Sequence, residues 1–403
     1  MHKIEQLLQT LAPKGVEFRK LGEVINIFKG KQLNKELLLD YGEYPVMNGG
    51  IHASGYWNEY NTDYPKIIIS QGGASAGYVN YMTSKFWAGA HCYAIELNSE
   101  KLNYKFLYYF LKNSQTILMK SQFGAGIPAL NKADIETLTI PIPPLEIQQE
   151  IVTILDAFTE LNTELNTELK ARKKQYQYYQ NMLLDFNDIN QNHKDAKMSV
   201  KTYPKRLKTL LQTLAPKGVE FRKLGEVCDF QKGKSITKKA VTFGKVPVIS
   251  GGRQPAYYHN EANRSGETIA ISSSGVYAGY VSYWDIPVFL ADSFSVSPKQ
   301  KTLMPKYLFH YLTTQQDAIH ATKSTGGIPH VYSKDLQNFL IPIPPLEIQQ
   351  EIVKILDQFL ALTTDLLAGI PAEIKARKKQ YEYYREKLLT FKPLTPHKEV
   401  EKC

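Results

Sequence analysis

The chain is written twice. Leu7–Val24 (LLQTLAPKGVEFRKLGEV) returns unchanged as Leu210–Val227, Ile140–Val152 (IPIPPLEIQQEIV) as Ile341–Val353, and Lys170–Tyr176 (KARKKQY) as Lys375–Tyr381. The offsets are 203, 201 and 205 residues, so one plan is repeated with small insertions. Between these frames, 25–139 and 228–340 share only landmarks. Asn48-Gly49-Gly50 answers to Ser250-Gly251-Gly252, Ala76–Val79 to Ala278–Val281, and Gly126-Ile127-Pro128 to Gly327-Ile328-Pro329. A plain duplication drifts evenly along its length. Identical frames around divergent inserts point to a common docking task for the frames and different ligands for the inserts; recent recombination between the copies is the other source of such identity.

A length of 403 residues suits two or more domains. A formal charge of +10 and a pI near 9.1 favour a polyanionic partner, nucleic acid or an anionic surface. Cys92, Cys228 and Cys403 are scattered without disulfide or zinc spacing, which suits a reducing compartment. The amphipathic start MHKIEQLLQTLAPKG lacks the apolar run of a signal peptide, and no stretch approaches ~18 consecutive apolar residues. The expectation is a soluble, cytoplasmic protein.

Each insert mixes β-like runs with glycine-rich turns. Lys66–Ser70 and Thr268–Ser272 read as strands, and Tyr104–Leu111 and Lys306–Leu312 as core helices. After each insert Ile-Pro-Ile-Pro-Pro forms a stiff, extended entry to a helix, because proline supplies no backbone donor. In the first copy Ile151, Leu155, Phe158, Asn162, Leu165, Leu169, Arg172, Tyr176, Tyr179 and Leu183 alternate by threes and fours, which is a coiled-coil seam. The second seam runs through Ile352, Leu356, Phe359, Leu366, Ile374, Tyr381, Tyr384 and Leu388, with Gly369-Ile370-Pro371 as a kink or break. Each helix starts acidic (Glu146, Glu150, Asp156, Glu160; Glu347, Glu351, Asp357) and ends basic (Lys170, Arg172, Lys173, Lys174; Lys375, Arg377, Lys378, Lys379). Antiparallel pairing then sets acidic starts against basic ends. The fold expected is α+β: two globular domains related by an internal pseudo-twofold repeat, joined by two long antiparallel coiled-coil helices. The expected boundaries are 1–145 and 207–346 for the globular domains, 146–186 and 347–392 for the helices, 187–206 for a linker and 393–403 for a polar tail.

This order of globular region, IPIPPLEIQQEIV and long helix, given twice, resembles the specificity subunits of type I restriction-modification systems. The Gly-Ile-Pro blocks, followed by Asn131–Ile135 and Ser333–Leu336, are similar to the ends of that family's target-recognition domains. The resemblance covers nearly the whole chain. It implies that each globular domain reads one half of a split double-stranded DNA target and that the helices set the unread gap. It further implies that two methyltransferase subunits dock on the frames and methylate adenine with S-adenosylmethionine. A restriction subunit, where present, brings ATP- and Mg-dependent translocation and cleavage. Unlike inserts imply an asymmetric target. No cofactor is then bound by this chain itself.

No motif in the sequence carries catalysis. It contains neither a G-x-x-x-x-G-K-[ST] phosphate loop nor an H-E-x-x-H helix, and it has no Asn/Asp-Pro-Pro-aromatic segment of the adenine methyltransferase kind. Gly72–Gly77 lacks the lysine of a nucleotide loop and reads as a turn. A self-contained nuclease or methyltransferase is therefore disfavoured, and a coiled-coil scaffold for proteins stands as the alternative to DNA recognition. DNA contacts require long polar and aromatic side chains on loops: Arg or Lys for guanine, Asn or Gln for adenine, basic groups for phosphate. The candidates are Asn48, His52, Tyr56, Gln71, Tyr78, Lys120 and Gln122 in the first insert, and Arg253, Gln254, Tyr257, Arg264, Ser273, Tyr277 and Lys323 in the second. His91 and His330 read as structural. Gln148, Gln149, Gln349 and Gln350 have two readings, partner contact or helix capping. Arg172 and Arg377, within the basic runs, face DNA phosphate or a partner, or else form a solvated coil face.

Overall fold

The computed structural model describes residues 2–124, 126–187, 203–299, 301–324, 327–364 and 369–394. Most of the expected 187–206 linker, nearly all of the tail, Leu366 and Cys403 lie outside the described residues. The chain divides into two compact units, Met1–Asn166 with Ile374–Cys403, and Thr167–Glu373. Each unit therefore combines a globular part with the start of one long helix and the end of the other.

In the first unit, helix α1 (His2–Leu11) is followed by strands β1 (Glu17–Lys20), β2 (Ile25–Lys29), β3 (Tyr44–Met47), β4 (Gly55–Trp57), β5 (Lys66–Ser70), β6 (Val79–Met82), β7 (Trp87–Ala88) and β8 (Cys92–Leu97). Helices α2 (Tyr104–Asn113), α3 (Gln115–Lys120) and α4 (Lys132–Glu136), strand β9 (Thr139–Ile142) and the long helix α5 (Leu145–Leu184) complete the first half of the chain. The sheets run β2-β8-β5-β6, β4-β3-β7 and β1-β9.

The second half repeats the plan with α6 (Lys205–Leu214), β10 (Glu220–Lys223), α7 (Leu224–Val227), β11 (Cys228–Lys232), β12 (Val246–Ile249), β13 (Tyr257–His259), β14 (Thr268–Ser272), β15 (Val281–Trp284), β16 (Phe289–Leu290) and β17 (Ser293–Pro298). Then come α8 (Pro305–Thr314), α9 (Gln316–Ala321), α10 (Ser333–Leu336), β18 (Leu340–Ile343), α11 (Leu346–Thr364) and α12 (Ile370–Leu388). Its sheets, β11-β17-β14-β15, β13-β12-β16 and β10-β18, have the same topology.

Strand β5 explains how each globular part holds together. Side chains alternate across a strand. Ile67 and Ile69 therefore face a core with Phe106, Leu107 and Leu111 of α2, while Ile68 faces a second core with Met47, Phe86 and Ala88. The run Lys-Ile-Ile-Ile-Ser is apolar on both faces because both faces are covered. Ile269, Ile271 and Ala270 of β14 repeat the division in the second unit.

The apolar seam positions Ile151, Leu155, Leu183, Ile352, Leu356, Ile374 and Leu388 are buried, with the polar Asn162 and Arg172 standing between them in the first copy. Within the first unit Phe158, early in α5, stacks on Tyr384, late in α12, at 5.4 Å between ring centroids. Within the second, Tyr179, late in α5, stacks on Phe359 of α11, the first segment of the second long helix, at 5.1 Å. In each unit a helix start thus lies against a helix end, which is the antiparallel arrangement. The second helix is described in two segments, Leu346–Thr364 and Ile370–Leu388, and Pro371 sits in the first turn of α12, where its missing N–H costs nothing.

The reason expected for this pairing needs correction. The acidic groups at the helix starts pair with their own unit's globular part: Glu150 with Lys3, Asp156 with Lys105, Glu351 with Arg206 and Asp357 with Lys306. Aromatic stacking holds start against end, and the charges fasten each helix start to the domain it follows.

Candidate nucleic-acid interface

The divergent loops of each unit are gathered at one place by short backbone ties. In the first unit Ser70 Oγ donates to the Gly49 carbonyl at 2.5 Å, His91 N to Asn48 Oδ1 at 3.1 Å, and Gln71 N to the His91 carbonyl at 2.9 Å. The Gly-Ile-Pro loop joins them through Gly73 N to the Pro128 carbonyl and Leu130 N to the Gln71 carbonyl, both 2.8 Å. The second unit repeats the ties. Ser272 Oγ donates to the Ser250 carbonyl at 3.1 Å, Gly275 N to the Pro329 carbonyl at 3.0 Å and Val331 N to the Ser273 carbonyl at 2.9 Å. Three loops, following β3, β5 and α3 in one unit and β12, β14 and α9 in the other, become one surface on a rigid base.

Glycine is required in that base. Gly77 has φ +86°, and a Cβ there would lie 2.8 Å from the Leu118 carbonyl carbon. Only a residue without Cβ lets the turn close against α3.

The structure sorts the sequence candidates. His52, Tyr56 and Lys120 are exposed in the first unit, as are Arg253, Gln254, Tyr257 and Tyr277 in the second. Asn48, Gln71 and Ser273 belong to the ties just described, and Gln122 Nε2 donates to the Ala76 carbonyl at 2.6 Å. Lys323 Nζ reaches the Val276 carbonyl at 3.4 Å. Tyr78 is half-buried, and Lys112 Nζ covers its ring 4.0 Å from the centroid. Burial, and then the charge of Arg385, bring the Lys112 ammonium down to about 8; its donors go to the Val79 carbonyl and Gln115 Oε1.

Arg264 is a correction. Its Nε donates to Ser295 Oγ at 2.9 Å and its Nη2 to the carbonyls of Gln231 and Lys232, both at 3.1 Å. It ties β11 and β17 together and joins none of the three loops. In the first unit Thr62 occupies its place, and a cleft of about 310 Å³ lined by Phe28, Lys29, Thr62 and Ala94 stands where the guanidinium would be.

Gln148 and Gln349 are a second correction. Both are fully buried. Gln148 Nε2 donates to the carbonyls of Lys101 and Pro143, and its Oε1 accepts from Asn103 N, at 2.6–2.8 Å. Gln349 repeats this with Thr302, Pro344 and Met304 at 2.7–2.9 Å. Neither amide is within a partner's reach, because each is fully buried and fastens a long helix to the loop before α2 or α8. Gln149 and Gln350 are exposed. Arg172 is half-buried and its guanidinium reaches Gln175 Oε1 at 3.1 Å on its own helix; Arg377 reaches Gln380 at 3.3 Å.

Sequence reasoning missed two features of the loop surface. Ile127 and Ile328, at the tips of the Gly-Ile-Pro loops, are 78% and 67% exposed. Tyr280, the counterpart of Tyr78 in the repeated Ala-Gly-Tyr-Val block, lies under the Arg253 guanidinium at 5.6 Å. The repetition of both blocks is the signal that marks them.

Cys92 and Cys228 are buried free thiols, and burial pushes both up to about 12. Among the described residues no group of three or more His, Cys, Asp or Glu side chains is placed to hold a metal ion, and no helix is long and apolar enough to cross a membrane.

Comparison with known proteins agrees with this architecture. Residues 13–175 and 216–376 each match the family described as the type I restriction modification DNA specificity domain. A Haemophilus influenzae protein assigned as a type I restriction enzyme specificity subunit is 33% identical, covering 93% of this chain and 96% of its own. The EcoR124I/EcoR124II specificity subunit of Escherichia coli is 30% identical over 98% of both chains. The crystal structure of the S subunit of a type I restriction-modification system from M. genitalium superposes with a TM-score of 0.66 at 25% identity, covering 93% of this chain and 96% of that one. The chain belongs to the type I restriction-modification DNA specificity family and carries two copies of its domain.

Proposed function

We propose that each unit reads one half of an asymmetric, split DNA target, and that the paired helices fix the unread gap between the halves. The observation that carries this reading is the contrast between scaffold and surface. The two units share sheet order, helix latches and loop ties, while the side chains on the gathered loops differ. The residues assigned to DNA are His52, Tyr56 and Lys120 in one unit and Arg253, Gln254, Tyr257 and Tyr277 in the other, with Asn48, Gln71, Tyr78, Gln122, Ser273 and Lys323 shaping the loops that present them.

Two methyltransferase subunits dock on the repeated frames in this reading, with Gln149, Gln350 and the exposed lysines of the KARKKQY runs offered to them. The chain contributes recognition and no catalytic group. S-adenosylmethionine belongs to the methyltransferase partners, ATP and Mg to a restriction subunit where one assembles, and the complex works in the cytoplasm. Mapping N6-methyladenine across the host genome with this gene intact and deleted tests the reading. Loss of one bipartite motif with unlike halves and a fixed gap is expected. An unchanged map, with the partner genes expressed, refutes it in favour of a protein scaffold.

A further inference from the structure

Both units place a cation over the tyrosine of the repeated Ala-Gly-Tyr-Val block, but they bring it from different places. In the first unit the cation over Tyr78 is Lys112, which comes from α2 and is engaged by the Val79 carbonyl and Gln115. In the second unit the equivalent helix position is Thr313, which offers no charge. The cation there is Arg253, at the tip of the loop after β12. Its Cζ lies 4.9 Å from the Tyr277 ring centroid and 5.6 Å from that of Tyr280. The substitutions come as a set, since Ile51 and Ser75 stand in the first unit where Arg253 and Tyr277 stand in the second.

Arg253 differs from Lys112 in what it leaves free. Lys112 is half-buried and its ammonium is spent on the protein. Arg253 is exposed, and among the described residues no hydrogen bond engages its guanidinium. Two tyrosine faces limit its motion without consuming donors, because a cation over an aromatic ring is held through the ring's π-face. The backbone beneath is fixed on both sides. Ser272 Oγ ties Ser250, Ala256 N donates to the Val248 carbonyl at 2.9 Å, and Tyr280 N to the Tyr277 carbonyl at 2.9 Å. The result is a planar fork of donors, oriented in advance, at the edge of the loop surface. Such a fork matches the O6 and N7 acceptors of guanine in the major groove, which no other base presents together.

We infer that Arg253 reads a guanine in the half-site bound by the second unit, and that the first unit, with Ile51 at this position, imposes no guanine requirement from it. This rests on the reading of the chain as a bipartite DNA-recognition subunit. The test uses the full chain assembled with its methyltransferase subunits in a host deleted for this gene, complemented with wild type, Arg253→Lys or Arg253→Gln. Methylated motifs are mapped, and rates are then measured on duplexes varied one base at a time.

With wild type, one half-site carries a required guanine. In both variants the other half and the gap stay unchanged. At the guanine, discrimination falls by roughly ten- to a hundred-fold in Arg253→Gln, the value of one bidentate contact. Arg253→Lys keeps the charge and a donor that can still reach guanine, so it should retain part of the preference and shows that the loss in Arg253→Gln does not come from a disturbed fold. The inference is overturned if Arg253→Gln preserves every base preference. It is also overturned if Arg253→Gln slows methylation of all duplexes equally and lowers the salt dependence by about one phosphate contact. A wild-type complex that methylates no bipartite motif removes the broader reading instead, and that outcome is visible before any variant is made.

Discussion

The buried glutamine at the start of each long helix should be worth far more than the exposed glutamine beside it. Replacing Gln148 by Leu keeps most of the side-chain volume and deletes three hydrogen bonds at 2.6–2.8 Å. The Asn103 N–H, half-buried, is left without its acceptor against the fully buried side chain at 148, which costs about 1–3 kcal/mol. The carbonyls of Lys101 and Pro143 each lose a donor, for about 0.5–1.5 kcal/mol apiece. The sum is about 4 kcal/mol, and a cooperative unit of roughly 200 residues loses about 2–4 °C per kcal/mol, so the melting transition should drop by about 8–16 °C. Asn103 also caps α2 through Lys105 N and Phe106 N, so part of the loss should appear as fraying of that helix. Gln149, which makes one exposed contact with Asn103 Nδ2 at 3.1 Å, should change stability by no more than about 0.5 kcal/mol when replaced by Ala. Calorimetry on Gln148→Leu, Gln349→Leu and Gln149→Ala decides the matter. A Gln148→Leu protein melting within 2 °C of wild type refutes the latch.

Three further outcomes follow from the same contacts. Arg264→Ala should destabilise the second unit by about 1–3 kcal/mol in denaturant titration, because the Gln231 and Lys232 carbonyls and Ser295 Oγ lose a charged donor, with base preference in the methylated motif unchanged. Burial alone would push the Asp357 carboxyl up, but hydrogen bonds from His310 and Lys306 hold it below its usual value. A lowered carboxylate stabilises fully above its unfolded value near 3.8 and loses that contribution as pH falls below it, so the melting difference between wild type and Asp357→Asn should be constant at higher pH and close under strong acid. Cys92 and Cys228, buried and pushed up to about 12, should resist iodoacetamide in the native protein and alkylate only after denaturation, as read by peptide mass spectrometry.

Much of the architecture was legible because it depends on local pattern. Lys66–Ser70 and Thr268–Ser272 are strands with the bounds their branched apolar runs suggest, and Gly72–Gly77 is a turn. The antiparallel helices were also legible, though for the wrong physical reason. Charge order gave the right direction, yet Glu150, Asp156, Glu351 and Asp357 fasten to their own globular parts, and the stacking of Phe158 on Tyr384 and Tyr179 on Phe359 joins start to end. Partners forty or more residues apart leave no periodic trace. Gln148, polar and near a helix start, reads as exposed; only its acceptor at Lys101 and its donor at Asn103 make it a buried latch. Arg264 looked like a DNA contact for the same reason, since its partners on β11 and β17 are more than thirty residues away in either direction.

The differences between the units are as informative as the identities, because most are compensated within one geometry. Asp156 accepts from Tyr109 where Asp357 meets His310, so a phenol and an imidazole fill one role on α2 and α8. Asn103 caps α2 through Lys105 N and Phe106 N, whereas Met304 offers α8 no side-chain cap and Pro305, with its preset φ, opens that helix instead. The carboxylate tie survives while its chemistry changes, and the helix start is secured by a different device. The loop surface behaves otherwise. Arg253 with Tyr277, against Ile51 with Ser75, alters what is presented to the outside without loosening the ties beneath, because Ser70 and Ser272 still hold Gly49 and Ser250. A scaffold whose internal ties tolerate exchange, carrying a surface whose exchanges go uncompensated, lets side chains that meet a ligand change without loss of fold. That separation is the physical condition under which one chain can carry two different specificities on the same backbone.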